Sequence, residues 1–263
     1  MARSIYIASP NAGTGKSTVA LGLVSCLTKV VAKVGVFRPF VESREGDAFL
    51  SLLLNRAGST TPPEQCVGAT WDEFHADPEE ALARIVDAYR AMAREHDVVI
   101  IDGSDFTDVA GNPELALNAR VAANIGVPVL LVVSGQNDVE DVVASVEVSM
   151  AEIADNHART VAVVANKCLP ETRQAIGEAL TAIEGITSTT LPEVPLLAAP
   201  VVREVLDAVE GTLIAGDETL LDREAESVLV CAMDVAHVLE RLTAGQLAIV
   251  PADRSAMLIS LMA

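Results

Sequence analysis

The chain has 263 residues, with 37 Asp or Glu against 18 Lys or Arg, for a net charge of −19 at neutral pH. A charge of that sign repels a phosphate backbone over most of the surface, which argues against nucleic acid as a partner. The hydrophobic share of 51% is enough for a real core, but aromatics make up only 3%. Val, Leu, Ile and Ala must therefore fill that core, as in parallel strands covered on both faces by helices.

The first apolar run, Ile5 to Ala8, predicts a buried strand, and helical spacing begins at Val19 and continues to Leu27. Between them stands Ser9-Pro10-Asn11-Ala12-Gly13-Thr14-Gly15-Lys16-Ser17-Thr18. A strand that ends in a glycine-rich loop opening a helix turns several backbone N–H groups toward one point. The helix dipole and a lysine complete an anion site. Pro10 stands where the G-x-x-x-x-G-K-[ST] pattern has its first glycine, so only the second half of the motif is intact. Asn11, Ala12, Gly13, Thr14, Gly15, Lys16, Ser17 and Thr18 are the candidate nucleotide-binding residues; an ordinary strand-to-helix turn is the alternative. With ATP bound, Lys16 would meet the β- and γ-phosphates and the Ser17 hydroxyl would be a ligand of Mg²⁺.

The next run, Val34 to Phe37, predicts a second strand ending at Arg38-Pro39. Arg38 could reach a substrate phosphate or carboxylate there, or be a solvated surface residue. Asp47, in Gly46-Asp47-Ala48, reads either as a Mg²⁺ ligand or as a helix N-cap. Strands are expected again at Val98 to Ile101, Val127 to Val133 and Val161 to Ala165. Asp102, directly after the first of these, is placed for the Walker-B acid that would hold Mg²⁺, with a strand-end cap as the alternative. Asn166-Lys167 follows the last run, where an amide can read a nucleotide base. The alternation predicts an α/β fold with a doubly wound, mainly parallel sheet, whose ligands sit at the carboxyl ends of the strands.

Three prolines between Pro192 and Pro200 mark an irregular connection, and Val201 to Val209 resumes helical spacing. A second, partial α/β unit is expected from Asp217, dividing the chain into 1–216 and 217–263. Within it Leu220 to Leu242 reads as strand and helix, and Gln246 to Val250 as a strand. The apolar tail Met257 to Met262 has no following partner, so the reading frame is expected to continue past Ala263. Cys26, Cys66, Cys168 and Cys231 lie far apart without C-x-x-C pairing and read as small buried hydrophobes. His75, His96, His157 and His237 read as solvent-exposed, and Trp71 and Phe74 as packing residues. With no signal-type stretch and no apolar run of membrane-spanning length, the expected compartment is the cytoplasm and no membrane partner is expected.

With the loop, Val36-Phe37-Arg38-Pro39, Asp47 and Asn166 in place, the first 200 residues or so resemble a dethiobiotin synthetase-type P-loop domain. Ser9 stands where that family usually has glycine, Asn11 where it often has aspartate, Arg38 on its substrate-binding lysine and Asp102 on its usual glutamate. Val228 to Met233, His237 to Glu240, Gly245 to Val250 and Pro251-Ala252-Asp253-Arg254 resemble the start of a DRTGG domain. Over essentially the whole chain the order of these segments is similar to the N-terminal region of long-form bacterial phosphate acetyltransferases. That resemblance implies a regulatory and assembly region with a degenerate nucleotide-binding loop, lacking the acetyl-transferring domain. It also implies a nucleotide or small-metabolite effector, and a homo-oligomer.

Two other classes compete. A dethiobiotin- or cobyrinate-type ligase would use Lys16, Ser17, Asp47 and Asp102 for ATP–Mg²⁺ and Arg38 for a carboxylate substrate. A partition-type ATPase would need its signature lysine where Asn11 stands.

Overall fold

Short runs of β-branched and aliphatic residues set the sheet of the first unit. The computed structural model describes residues 3–104 and 114–262, and the chain divides into two units, Met1–Glu193 and Val194–Ala263. The expected change at Asp217 falls later than this division. In chain order the first unit runs β1 (Arg3–Ala8), α1 (Lys16–Leu27), β2 (Val34–Val41), α2 (Ala48–Ala57), β3 (Val67–Thr70), α3 (Trp71–Ala76), α4 (Pro78–Glu95), β4 (Val98–Asp102), α5 (Glu114–Ile125), β5 (Val129–Ser134), α6 (Val139–Asp155), β6 (Thr160–Cys168), α7 (Arg173–Thr181) and β7 (Thr187–Pro192).

The strands form one sheet in the order β3-β2-β4-β1-β5-β6-β7, every pairing parallel. The α/β, doubly wound expectation therefore holds. Val99, Ile100 and Ile101 are consecutive and all fully buried, so both faces of β4 are covered. Two strands have no apolar run to betray them. β3 is the four-residue Val67-Gly68-Ala69-Thr70, and β7, at the sheet edge, is the half-exposed Thr187-Ser188-Thr189-Thr190-Leu191-Pro192.

β2 and β6 run further than their apolar stretches. β2 continues through Arg38 and Pro39 to Val41 because β3 takes over pairing at Arg38↔Val67, where pairing with β4 has stopped at Phe37↔Ile101. Arg38 thus lies within a strand rather than after one. β6 carries Asn166 and Lys167 inside its bulged end, where the register with β7 shifts and Lys167 adopts φ 59°. Trp71 packs as expected, stacked on Phe40 at 4.8 Å with Phe74 edge-on to both.

Cys66, Cys168 and Cys231 are buried, and burial pushes the Cys66 thiol up to about 11, with Glu64 adding to the effect. Cys26 is exposed on α1, contrary to the sequence expectation. His96 is half-buried rather than exposed, its Nδ1 2.9 Å from the Met92 carbonyl.

The second unit contains α8 (Val202–Ala208), β8 (Ser227–Val230), α9 (Val235–Leu239), β9 (Gln246–Ile249) and α10 (Ser255–Met262). β8 and β9 pair in parallel, and Cys231, Val238 and Met257 form a small core beside them. Among the described residues no helix is long and apolar enough to cross a membrane.

The turn after β4 tolerates only glycine at 103. A Cβ there would lie 2.6 Å from Asn118 Oδ1, 2.7 Å from the Ile7 carbonyl and 2.8 Å from Tyr6 Cε1. Gly103→Ala is therefore expected to destabilise the first unit by about 1–3 kcal/mol, read as a lowered urea midpoint.

Candidate functional site

Register places the two halves of the candidate site side by side. β1 delivers the loop, and Ile7 of β1 lies opposite Asp102 of β4, so the acid ends its strand next to the start of the cradle. Gly13 and Gly15 take φ 76° and 81°, the left-handed conformation that lets successive amides face one concavity. Gly15 is also the N-cap of α1, and no side chain caps that helix. In contrast α2, α3 and α4 are capped by Asp47, Thr70 and Asp77. The first amides of α1 have no intrahelical acceptor, and buried Thr14 Oγ1 has no hydrogen-bond partner. A helix start left uncapped in this way offers its backbone N–H groups as donors to an anion.

Lys16 does not extend into solvent. Its side chain is 1% exposed, and its Nζ lies 2.7 Å from Asp102 Oδ1 and donates to the Gly103 carbonyl. Asp102 is fully buried, and its Oδ2 lies 3.4 Å from Arg38 Nε. The other end of Arg38 bonds Asp47 Oδ2. Asp47 in turn caps α2, its Oδ1 accepting from the Leu50 amide at 2.8 Å. Four charges therefore alternate along one path: Lys16, Asp102, Arg38, Asp47. The loop that carries Asp47 is tethered by Arg44, which reaches Glu73 at 2.8 Å and the Gly68 carbonyl at 3.2 Å.

Beneath this path Tyr6 donates to Asn118 Oδ1 at 2.7 Å, and the same oxygen accepts from the Ser104 amide at 3.0 Å. Burial, reinforced by the Asp102 and Glu114 carboxylates, raises the Tyr6 phenol well above its usual range, so it stays a donor. The network fixes the chain just past Asp102.

The cradle is held from the other side by β6. Asn166 Nδ2 donates to the Thr14 carbonyl at 2.9 Å and Lys167 Nζ to the Gly13 carbonyl at 2.8 Å. Asn166 thus supports the loop through the side-chain amide that the sequence offers for reading a base. The sequence names Lys167 only as part of the pair Asn166-Lys167 at the end of the last run, with no role of its own. A Cβ at Gly15 would collide with the Asn166 amide, so the clamp requires glycine there.

The remaining candidates divide simply. Asn11, Ala12, Gly13 and Thr18 are exposed, while Ser17 is half-buried at the start of α1. Of the three residues expected to hold Mg²⁺, Asp47 and Asp102 are engaged by Arg38 and Lys16, and no group of three or more metal-ligating side chains gathers among the described residues. Asp47 acts as the helix N-cap that was its alternative reading.

Asn166→Ala removes one bond to the loop, worth about 1 kcal/mol. Amide exchange at Thr14 to Lys16 is expected to quicken, with little change at α4.

Residues 3–206 match the family described as AAA domain, and residues 204–263 match the DRTGG domain. Relatives named phosphate acetyltransferase align with the whole chain at 26% identity in Nitratidesulfovibrio vulgaris and Synechocystis sp., and with 99% of it at 20% in Escherichia coli. The chain spans 39% of the length of the first two and 40% of the third. Among solved structures, a putative plasmid partition protein from Borrelia burgdorferi bound to AMPPNP is 14% identical, with a TM-score of 0.52 over 84% of this chain and 94% of that one. The MinD cell division protein of Aquifex aeolicus is 16% identical, with a TM-score of 0.50 over 75% of this chain and 84% of that one. Those likenesses show a P-loop NTPase-like fold. The chain belongs to the AAA domain family of P-loop proteins, followed by a DRTGG domain.

Proposed function

We propose that this chain is the amino-terminal region of a long-form phosphate acetyltransferase, serving regulation and assembly, with a cradle that takes the phosphates of a nucleotide effector. The observation that carries this reading is the extent of the match: relatives of that name align from one end of the chain to the other, across both units. They are much longer than this chain, so transfer of acetyl between coenzyme A and phosphate belongs to the whole protein. The two left-handed glycines, the uncapped α1 and the orphaned Thr14 hydroxyl support phosphate binding. Assembly with further copies is supported by Val228, Val230 and Ile249, which share one exposed apolar face of β8 and β9.

The ligase reading fares worse at Arg38. That guanidinium is already bonded to Asp47, and the cleft of about 250 Å³ beside it is lined by Glu42, Ser43, Glu45 and Asp47. A carboxylate substrate would meet mainly like charge there.

Two measurements test the proposal. In a coupled assay the chain alone is expected to form no acetyl-CoA from acetyl phosphate and coenzyme A; turnover would overturn the assignment. Calorimetric titration with ATP, ADP, NADH and pyruvate is expected to show a nucleotide signal. Lys16→Ala should weaken it roughly tenfold to a hundredfold, the worth of a charge-assisted phosphate contact. Thermal melting of the variant, recorded in parallel, separates lost binding from lost folding, and a signal untouched in a folded variant would remove Lys16 from the site.

A further inference from the structure

Two carboxylates were expected to share a divalent cation with Ser17. In the structure a guanidinium stands between them instead: Arg38 bonds Asp47 through one terminal nitrogen, and its Nε lies 3.4 Å from Asp102 Oδ2. Asp102 is further neutralised by Lys16 at 2.7 Å. Across the four groups the formal charges cancel, two positive against two negative. A divalent cation placed between Asp47 and Asp102 would have to expel Arg38 into its own like charge. It would also strip Asp47 of an ion pair while that residue continues to cap α2 through Leu50. Mg²⁺ is reluctant to exchange water for ligands that are not arranged octahedrally, and here each carboxylate already has a cation beside it.

We infer that Arg38 takes the place of the metal, so that the cradle binds the phosphates of a nucleotide without a divalent cation. The inference rests on the reading of residues 9–18 as a polyanion site. Arginine suits the role because its planar fork presents separate nitrogens to two carboxylates at once, which an ammonium point charge cannot do as well. The phosphates would then be met by the loop amides and the α1 dipole, with Lys16 shared between them and Asp102 and with Arg38 set between the two acids.

The test is calorimetric titration of the chain with ATP, once with saturating Mg²⁺ and once with EDTA. Under the inference the two dissociation constants agree to within about twofold. Binding that appears only with Mg²⁺, or is more than about tenfold tighter with it, overturns the inference and leaves the cradle standing. No binding of ATP in either buffer overturns the cradle reading itself. Arg38→Gln supplies the converse arm: with the guanidinium gone, Asp47 loses that ion pair while Asp102 keeps Lys16, and Mg²⁺ is expected to tighten ATP binding by about tenfold or more. Circular dichroism establishes whether that variant folds, and the wild-type pair of titrations decides the matter if it does not.

Discussion

The buried pair of Lys16 and Asp102 constrains everything around it. Each side chain is almost entirely removed from water, and a lone charge so placed would cost several kcal/mol in lost hydration. The pair survives only because β1 and β4 are neighbours in register, which brings the first residue of α1 against the last residue of β4. Supplementary bonds are needed as well. Gly103 offers its carbonyl to Lys16, and Arg38 approaches the second oxygen of Asp102. The sheet order, the Cβ-free turn at Gly103 and the buried Tyr6–Asn118 network are thus conditions for the same ion pair.

A chain carrying −19 cannot draw polyphosphate by its overall field. Over distances beyond the Debye length, salt screens that repulsion, and what remains is local. Backbone amides of the cradle are fixed dipoles that need no net charge to act, and their orientation is held by the Asn166 and Lys167 bonds to the carbonyls of Thr14 and Gly13. Under the proposed phosphate-binding reading, rigidity and attraction come from different elements: the loop and the start of α1 would present the donors, while β6 holds the loop through those two bonds.

Much of this was legible in the chain. Strands whose residues are buried on both faces announce themselves as unbroken apolar runs, which is why β1, β4 and the centre of β6 were found. β7 was hidden because an edge strand rich in threonine has one side open to water, and β3 because Gly68 interrupts four residues. The glycines of the cradle, Lys16 and Asp102 were found by type and spacing. Their mutual arrangement was not, since no local pattern says that Arg38 lies within a strand that switches partners, or that it spans two acids. Asp47 could be narrowed only to cap or ligand. The structure shows the cap, and the Leu50 amide and Arg38 reach Asp47 together. The clamp by Lys167 depends on a left-handed residue in a bulge, a conformation that sequence does not advertise at a lysine.

On the proposed phosphate-binding reading, Arg38 gives a phosphate a way to displace a buried salt bridge without leaving a stranded charge. For Lys16 to turn toward a ligand, Asp102 must give up its nearest cation while still shut away from water. Removing one partner of a buried pair ordinarily costs 3–5 kcal/mol, roughly the scale of a weak binding event. Arg38, already 3.4 Å from the free oxygen of Asp102, can close that distance and take over compensation. A lysine at position 38, as dethiobiotin synthetases carry, would have to choose between Asp47 and Asp102. The guanidinium can keep its bond to Asp47 through one nitrogen while strengthening its contact to Asp102 through another, so the exchange at Lys16 need not break the cap of α2.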